Sequence, residues 1–141
     1  RDAADWKSML RDLYLKWCAR QGHHCELIED SPTACSIKTA APAALIGSER
    51  GSHRLVRISP FDSSGRRHTC FATVSVDGDS SNDWNGQGIS QLRSYVLAPY
   101  RRVTDHRTGK TSDRPEHVLD GAIDEFLTAA ALPIPLADIP N

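Results

Sequence analysis

The side chains best suited to chemistry cluster between residues 49 and 69. This stretch holds five arginines and two histidines against two carboxylates: Arg50, Arg54, Arg57, Arg66, Arg67, His53, His68, Glu49 and Asp62. The whole chain carries a formal net charge of −1, so the overall composition conceals this local excess of positive charge. Cations concentrated on one segment are typical of a surface that contacts phosphate groups.

Two histidine–carboxylate pairs in this stretch could perform acid–base chemistry. His68 with Asp62, or His53 with Glu49, would combine a side chain that changes charge near neutral pH with a carboxylate partner. Nothing in their spacing supplies a nucleophile or an oxyanion hole as well. An enzyme acting on a small molecule is therefore kept only as an alternative.

The four cysteines do not form a metal-binding pattern. Cys18, Cys25, Cys35 and Cys70 contain no Cys-x-x-Cys pair and no regular spacing. The adjacent residues 23–25, His-His-Cys, would point to opposite faces of a strand and could not all converge on one ion. The sequence predicts reduced thiols, no metal and no cofactor.

The length and composition of the chain indicate how many domains it forms and in which compartment it works. A chain of 141 residues, of which 39% are hydrophobic, suits one domain with one modest core. No apolar run approaches the ~20 residues that a membrane-spanning helix needs. No charged-then-apolar signal segment follows Arg1. We therefore expect a cytoplasmic protein without a membrane partner, and the oligomeric state stays open.

The elements around the basic segment predict a mixed α+β fold. Apolar residues recur every three or four positions over residues 2–21, as in an amphipathic helix that Asp2 or Asp5 caps and Gly22 ends. Residues 54–58 and 69–76 are rich in β-forming residues and predict a hairpin with a long polar loop. The remaining predicted elements are short: a strand at 25–28, a helix at 41–46, a strand at 94–97 and a helix at 124–132.

Charge also varies along the second half of the chain. Residues 99–110 are basic and contain Arg101, Arg102, Arg107 and Lys110. They are consistent with a solvated strand surface or with contact to RNA. Residues 112–141 carry six carboxylates against one arginine, so this end would repel phosphate.

Residues 51–69 carry a family resemblance. They read Gly-Ser-His-Arg-Leu-Val-Arg-Ile-Ser-Pro-Phe-Asp-Ser-Ser-Gly-Arg-Arg-His-Thr. This stretch closely resembles the codon-reading region of bacterial class I peptide-chain release factors, of the type that reads UGA and UAA. Further segments resemble the same family: residues 4–10, 91–97, 107–109 and 118–121. The resemblance thus covers most of the chain.

The resemblance implies a fold and a set of base contacts. The fold is the family's codon-recognition superdomain, a small β-sheet flanked by helices, formed here by residues 1–141. Its Ser-Pro-Phe loop faces the stop codon in the ribosomal decoding site. Ser59 would hydrogen-bond a purine edge, Pro60 and Phe61 would shape the loop, His68 would stack on a base, and Thr69 would contact the third base.

The same correspondence adds three further RNA-binding residues. Arg66 and Arg67 lie beside the loop and would contact RNA. Asp2 stands where the family usually has a Glu that helps to recognise the first uridine. The implied partner is RNA, in the form of a ribosome with an mRNA stop codon.

One departure from the family bears on activity. In the family, a catalytic domain with a Gly-Gly-Gln loop that hydrolyses peptidyl-tRNA lies between the segments that correspond to Val76 and Trp84. Here only a polar connector, residues 77–90, stands in that place. Its Asn85-Gly86-Gln87 lacks the first glycine, where a Cβ would obstruct the approach of a backbone amide. We therefore do not expect peptidyl-tRNA hydrolysis.

Three functions remain open from the sequence. The first is a non-catalytic release-factor paralogue that binds a ribosome at a stop codon and acts as a regulator or competitor. The second is an mRNA-binding stabiliser that works without the ribosome. The third is an enzyme that has reused a pocket of the fold.

Overall fold

The computed structural model describes residues 1–77 and 91–131. These residues form a mixed α+β fold, as predicted, with a five-stranded sheet and a separate two-stranded hairpin. Its elements are α1 (Asp2–Gln21), β1 (Cys25–Asp30), β2 (Cys35–Thr39), α2 (Ala43–Ile46), β3 (Gly51–Ile58), β4 (Arg67–Val74), β5 (Gln91–Val96), β6 (Arg102–Asp105), β7 (Thr111–Ser112), α3 (Pro115–Leu119) and α4 (Asp124–Ala131).

The five-stranded sheet places the predicted hairpin at one edge. Its strand order is β4-β3-β5-β6-β7, so β4 is an edge strand among the described residues. β3 pairs antiparallel with β4 and parallel with β5. The hairpin loop, residues 59–66, therefore projects from an edge of the sheet, where a partner can reach it.

Helix α1 covers one face of this sheet. Trp6, Leu10, Leu13 and Trp17 recur at spacings of three and four and are almost completely buried. They pack with residues of the central strands, among them Leu55, Tyr95 and Val103. We call this covered side of the sheet the inner face. The Trp6 indole also donates a hydrogen bond to the backbone oxygen of His53, at 3.0 Å.

The two ends of α1 differ in how well they were predicted. Gly22 ends the helix in the left-handed conformation, with φ of 73°, as expected. At the start, Arg1 is the N-cap residue and no side chain caps the helix. Asp2 and Asp5 do not act as caps because side chains from β3 and the following loop bind their carboxylates.

Several short elements, among them β2, β7 and α3, were not predicted from the sequence. β2 has five residues with alternate exposure and forms its antiparallel ladder only with β1. α3 also has five residues and begins at Pro115, so neither element is long enough to show a clear period. Apart from Asp77, the predicted connector lies outside the described residues. In the described part of the chain, no helix is long and apolar enough to cross a bilayer.

Candidate nucleic-acid interface

The loop between β3 and β4 is closed by its own backbone. The amide of Ser59 donates to the oxygen of Arg66 at 3.1 Å, and the amide of Gly65 donates to the oxygen of Asp62, also at 3.1 Å. Gly65 has φ of 72°, which a residue with a Cβ adopts only at a cost. The loop is thus a defined turn that presents Pro60 and Phe61 at the surface.

Ser59 connects this loop to the start of α1. Its side chain is almost completely buried, and its Oγ donates to Asp2 Oδ2 at 2.7 Å while accepting from the amide of Phe61 at 3.1 Å. The hydrogen bond from Ser59 lowers the pKa of the Asp2 carboxyl, against the effect of desolvation and with help from Arg57. The predicted contact to a purine edge would therefore use the remaining acceptor position of Ser59 Oγ, with the bond to Asp2 kept.

Arg57, which lies on β3, also binds the first turn of α1. Its guanidinium donates to Asp5 at 2.7 Å and to Asp2 at 3.3 Å. Arg57 was not among the predicted site residues, although it fixes the carboxylate to which Ser59 binds. Its charge is neutralised within the protein, so Arg57 does not add to the cationic surface.

Asp62 organises the tip of the loop. Its Oδ1 accepts from the Ser64 amide at 2.9 Å and from the Ser64 hydroxyl, and its Oδ2 accepts from His68 Nε2 at 2.8 Å and from Arg66 Nε at 3.2 Å. The bonds from Ser64, followed by those from His68 and Arg66, hold the pKa of the Asp62 carboxyl well below its usual range. An ionised Asp62 thus fixes one edge of the His68 ring.

His68 and Phe61 remain accessible around this framework. His68 lies between two carboxylates, with Nδ1 at 3.6 Å from Asp2, and 40% of its side chain is exposed. Phe61 is 38% exposed, and the Arg1 guanidinium lies 4.5 Å from the centre of its ring. Two flat side chains, each restrained on one side, are thus available to a base.

The eight predicted site residues fall into two groups. Contacts within the loop join most of them: Asp2, Ser59, Phe61, Arg66 and His68. Pro60 is exposed beside them. Arg67 and Thr69 point to the opposite face of β4 from His68, because successive residues of a strand alternate.

The second histidine–carboxylate pair is part of the core. His53 and Glu49 are both fully buried, but His53 Nε2 meets the backbone oxygen of Glu49 and not its carboxylate. Burial lowers the pKa of His53 to about 4, so the ring is neutral. The Glu49 carboxylate instead accepts two 2.7 Å bonds from Arg93, which also reaches Asp105 at 3.2 Å. Sequence reasoning missed this network because a buried ion pair leaves no periodic signal.

The cysteines are free thiols. Burial raises the pKa of Cys25 to about 11, with a contribution from the neighbouring Cys18. Cys25 is thus a protonated thiol at neutral pH. Within residues 1–77 and 91–131, no three His, Cys, Asp or Glu side chains are grouped as a metal site requires.

The cations of the basic stretch 99–110 form ion pairs, three with the acidic stretch that follows and one with Asp105 within the basic stretch. Four ion pairs of 3.0–3.7 Å cover its cations: Arg101 with Glu116, Arg102 with Asp113, Arg107 with Asp105, and Lys110 with Glu125. The fold thus brings the basic residues 99–110 against the first part of the acidic segment, as expected of a solvated surface with paired charges.

Comparison with known proteins places the chain in a family. The PCRF domain family matches residues 1–74. Peptide chain release factor 2 of Acidothermus cellulolyticus is 29% identical over 220 residues, which covers 91% of this chain and 60% of that protein. For the protein of the same name from Nocardia farcinica, the identity is 42% over 218 residues, with 89% and 59% covered.

A solved structure supports the same relationship. RF2 of Thermus thermophilus superposes with a TM-score of 0.70 at 25% identity, over 91% of this chain and 63% of that chain. The chain therefore spans about 60% of the length of the curated relatives that it matches. The resemblance predicted from residues 51–69 and the small sheet flanked by helices are both confirmed. The chain belongs to the peptide chain release factor family.

Proposed function

We propose that this protein binds ribosomes whose decoding site displays a UGA or UAA stop codon, and that it does so without hydrolysing peptidyl-tRNA. It would act in the cytoplasm as a regulator of termination or as a competitor of active release factors. The partner is the ribosome with its mRNA, and the contact surface comprises the loop at residues 59–66, the first residues of β4 (67–69) and Asp2.

The observation that carries this proposal is the exposed, internally braced loop. Phe61 and His68 are more than one-third exposed, while Asp62 and Asp2 hold the surrounding hydrogen bonds. Single-stranded RNA is recognised by stacking on flat side chains and by short polar contacts to base edges. In the proposed complex His68 stacks on a base, and the Ser59 hydroxyl keeps its bond to Asp2 while its oxygen accepts a hydrogen bond from a purine edge.

Cations and a further hydroxyl complete the proposed surface. Arg66 and Arg67 are exposed at the base of the loop and would contact phosphate groups, while Thr69 would contact the third base. Asp2 replaces the Glu that is usual in the family. Its role in the proposed complex is to fix Ser59 and His68, since its carboxylate already contacts both.

The absence of hydrolysis is proposed from the sequence. The 220-position pairing with the Acidothermus relative is longer than this 141-residue chain, so part of that relative has no counterpart here. The 141 residues contain no Gly-Gly pair, and we assign residues 77–90 as the connector at the position of the catalytic domain. Binding without release would make the protein an occupant of the decoding site.

A ribosome pelleting assay tests the proposal. Ribosomes programmed with UGA, UAA or a sense codon are sedimented with the full chain, and an active release factor is then added to measure peptide release. We expect retention on both stop codons, weaker retention on the sense codon, and slower release by the active factor. Equal retention on all three codons would contradict codon reading, and peptide release by this chain alone would contradict the non-catalytic role.

The loop geometry does not favour an enzyme. The Ser59 hydroxyl donates to Asp2, and His68 Nε2 contacts Asp62, so His68 does not activate Ser59 as a nucleophile. The ribosome-free mRNA stabiliser is a distinct outcome of the same assay. It would bind free single-stranded RNA as tightly as it binds programmed ribosomes.

A further inference from the structure

Two of the predicted RNA-binding residues lie on the face of the sheet that α1 does not cover. Arg67 and Thr69 point outward from β4, and the same alternation brings Phe71 and Thr73 to their side. All four are exposed, and Phe71 is 56% exposed although it is a large apolar side chain. The exposed ring thus lies in a row with two hydroxyls and a cation, an arrangement that offers a stacking surface beside polar contacts.

The charged side chains that the strands place on this outer face are all positive. Register pairs Arg54 with Phe71 and Ile58 with Arg67 across the β3–β4 ladder, so these residues share the outer face. Along all five strands no Asp or Glu occupies an outward position, since the strand carboxylate, Asp105, is paired with Arg93 on the inner face. The outward side chains of the central strands, among them Val56, Ser94 and Val96, are buried, so the exposed part of this face lies along β4. A polyanion would meet Arg67 and the hydroxyls of Thr69 and Thr73 there, without an opposing carboxylate on the strands.

We infer that the outer face of β4 is a binding platform for single-stranded RNA, with a base stacked on Phe71 and the phosphate groups beside Arg67 and Arg54. Alternate side chains of a strand are about 7 Å apart, so Thr69, Phe71 and Thr73 offer successive contacts to an extended strand. Stacking on an aromatic side chain tolerates any base. The platform continues from the loop at residues 59–66, because Arg67 directly follows that loop.

This platform goes beyond the proposed function, since it requires neither a ribosome nor a stop codon. RNA is favoured over a protein strand because an added β-strand would use the backbone edge of β4 and would need neither the ring of Phe71 nor the arginines. Arg67 and Thr69 belong to both surfaces, but Phe71 lies on the opposite face of β4 from His68, so substitutions of Phe71 and of His68 can separate the two roles.

Fluorescence anisotropy with a labelled 12-nucleotide RNA and the full chain tests the platform. We expect Phe71→Ala to weaken binding about tenfold, which is within the range for one lost base stack. Phe71→Trp should restore RNA binding, because the indole ring can stack on a base as well. Arg67→Ala should reduce the slope of log Kd against log salt by about 0.7, the value for one phosphate contact on a single strand. A duplex of the same sequence should bind more weakly, because its bases are already stacked.

The matched control is Ile28→Ala. Ile28 is 58% exposed and lies on the separate β1–β2 hairpin, so this change should leave RNA binding unchanged.

Equal binding by the wild type and Phe71→Ala, or equal binding of single strand and duplex, would overturn the platform. A dimer seen in sedimentation that Phe71→Ala disrupts, without RNA binding, would also overturn it in favour of a second copy of the chain. His68→Ala should impair ribosome retention and leave binding of free RNA intact, so either proposal can fail alone.

Discussion

The hydroxyl of Ser59 and the carboxylate of Asp2 are joined by a 2.7 Å hydrogen bond that links the loop of the β3–β4 hairpin to the first turn of α1. The two residues are 57 positions apart in the chain. Because Asp2 also contacts Arg57 and His68, one carboxylate brings the strand, the loop and the helix start together. The conformation of the candidate interface therefore depends on a residue that lies outside the loop.

The first prediction concerns Asp2. Asp2→Ala removes the acceptor of Ser59 and one contact of Arg57, so the loop loses its attachment to α1 while Arg57 keeps Asp5. We expect retention on UGA-programmed ribosomes to fall on the order of tenfold, as for the loss of a charge-assisted hydrogen bond. The ribosome pelleting assay measures this retention.

The control for Asp2 is Asp12→Ala, which removes an exposed carboxylate of the same helix whose ion pair is with Arg11. This variant should bind like the wild type. If both variants lost binding equally, the loss would follow from the net charge and not from the attachment of the loop.

The second prediction concerns the pH dependence of the loop. The folded protein holds the pKa of Asp62 below its ordinary value of 3.8, so the unfolded chain takes up the proton first as the pH falls. The contribution of Asp62 to stability is therefore complete above about pH 5 and is lost progressively below about pH 4. We expect the difference in free energy of unfolding between the wild type and Asp62→Asn to narrow over that range.

Urea unfolding at pH 7, 5, 4 and 3 measures this difference. Asp113→Asn, at an exposed site, is the control and should show no comparable narrowing. A difference for Asp62→Asn that stays constant down to pH 3 would show that the carboxylate is not the organising group of the loop.

The sequence predicts elements with local periodicity better than it predicts contacts between distant charges. The spacing of Trp6, Leu10, Leu13 and Trp17 was sufficient to define α1, because each turn repeats the same burial. The pairing of Glu49 with Arg93 spans 44 positions, and neither residue is distinguishable in the sequence from a solvated charge. Family resemblance located the loop but could not indicate that Arg57 would be neutralised or that Thr69 and His68 would face opposite sides.

The third prediction concerns the buried network. Burial opposes the ionised form of Glu49, but Arg93 outweighs it and lowers the pKa of that carboxyl. Glu49→Ala would leave the fully buried guanidinium of Arg93 without its bidentate partner. We expect a loss of about 3–5 kcal/mol in the free energy of unfolding, as for removal of one partner of a buried ion pair. Urea unfolding at pH 7 measures it.

An exposed ion pair supplies the control for this variant. Arg101→Ala breaks the pair with Glu116, in which both side chains are more than half exposed, and should cost little. Equal losses in the two variants would mean that the Glu49–Arg93 pair contributes no more than a surface contact.

The fourth prediction concerns Gly121, where the chain between α3 and α4 approaches α1. Gly121 has φ of 102°, and a Cβ at this position would lie 2.8 Å from the backbone nitrogen of Trp17. Gly121→Ala therefore combines backbone strain with a contact that only a shift of α1 can relieve. We expect a loss of about 2 kcal/mol or more in the free energy of unfolding, measured by urea at neutral pH.

Gly22→Ala is the matched comparison for Gly121. Gly22 also has a positive φ, 73°, but no atom would lie within 4 Å of a Cβ added there. Its replacement should cost only the strain of the left-handed conformation, about 1 kcal/mol. A larger loss for Gly121→Ala than for Gly22→Ala would thus measure the close approach to α1 by itself. If the two losses were equal, the approach to Trp17 would have no energetic consequence, and φ alone would explain both glycines.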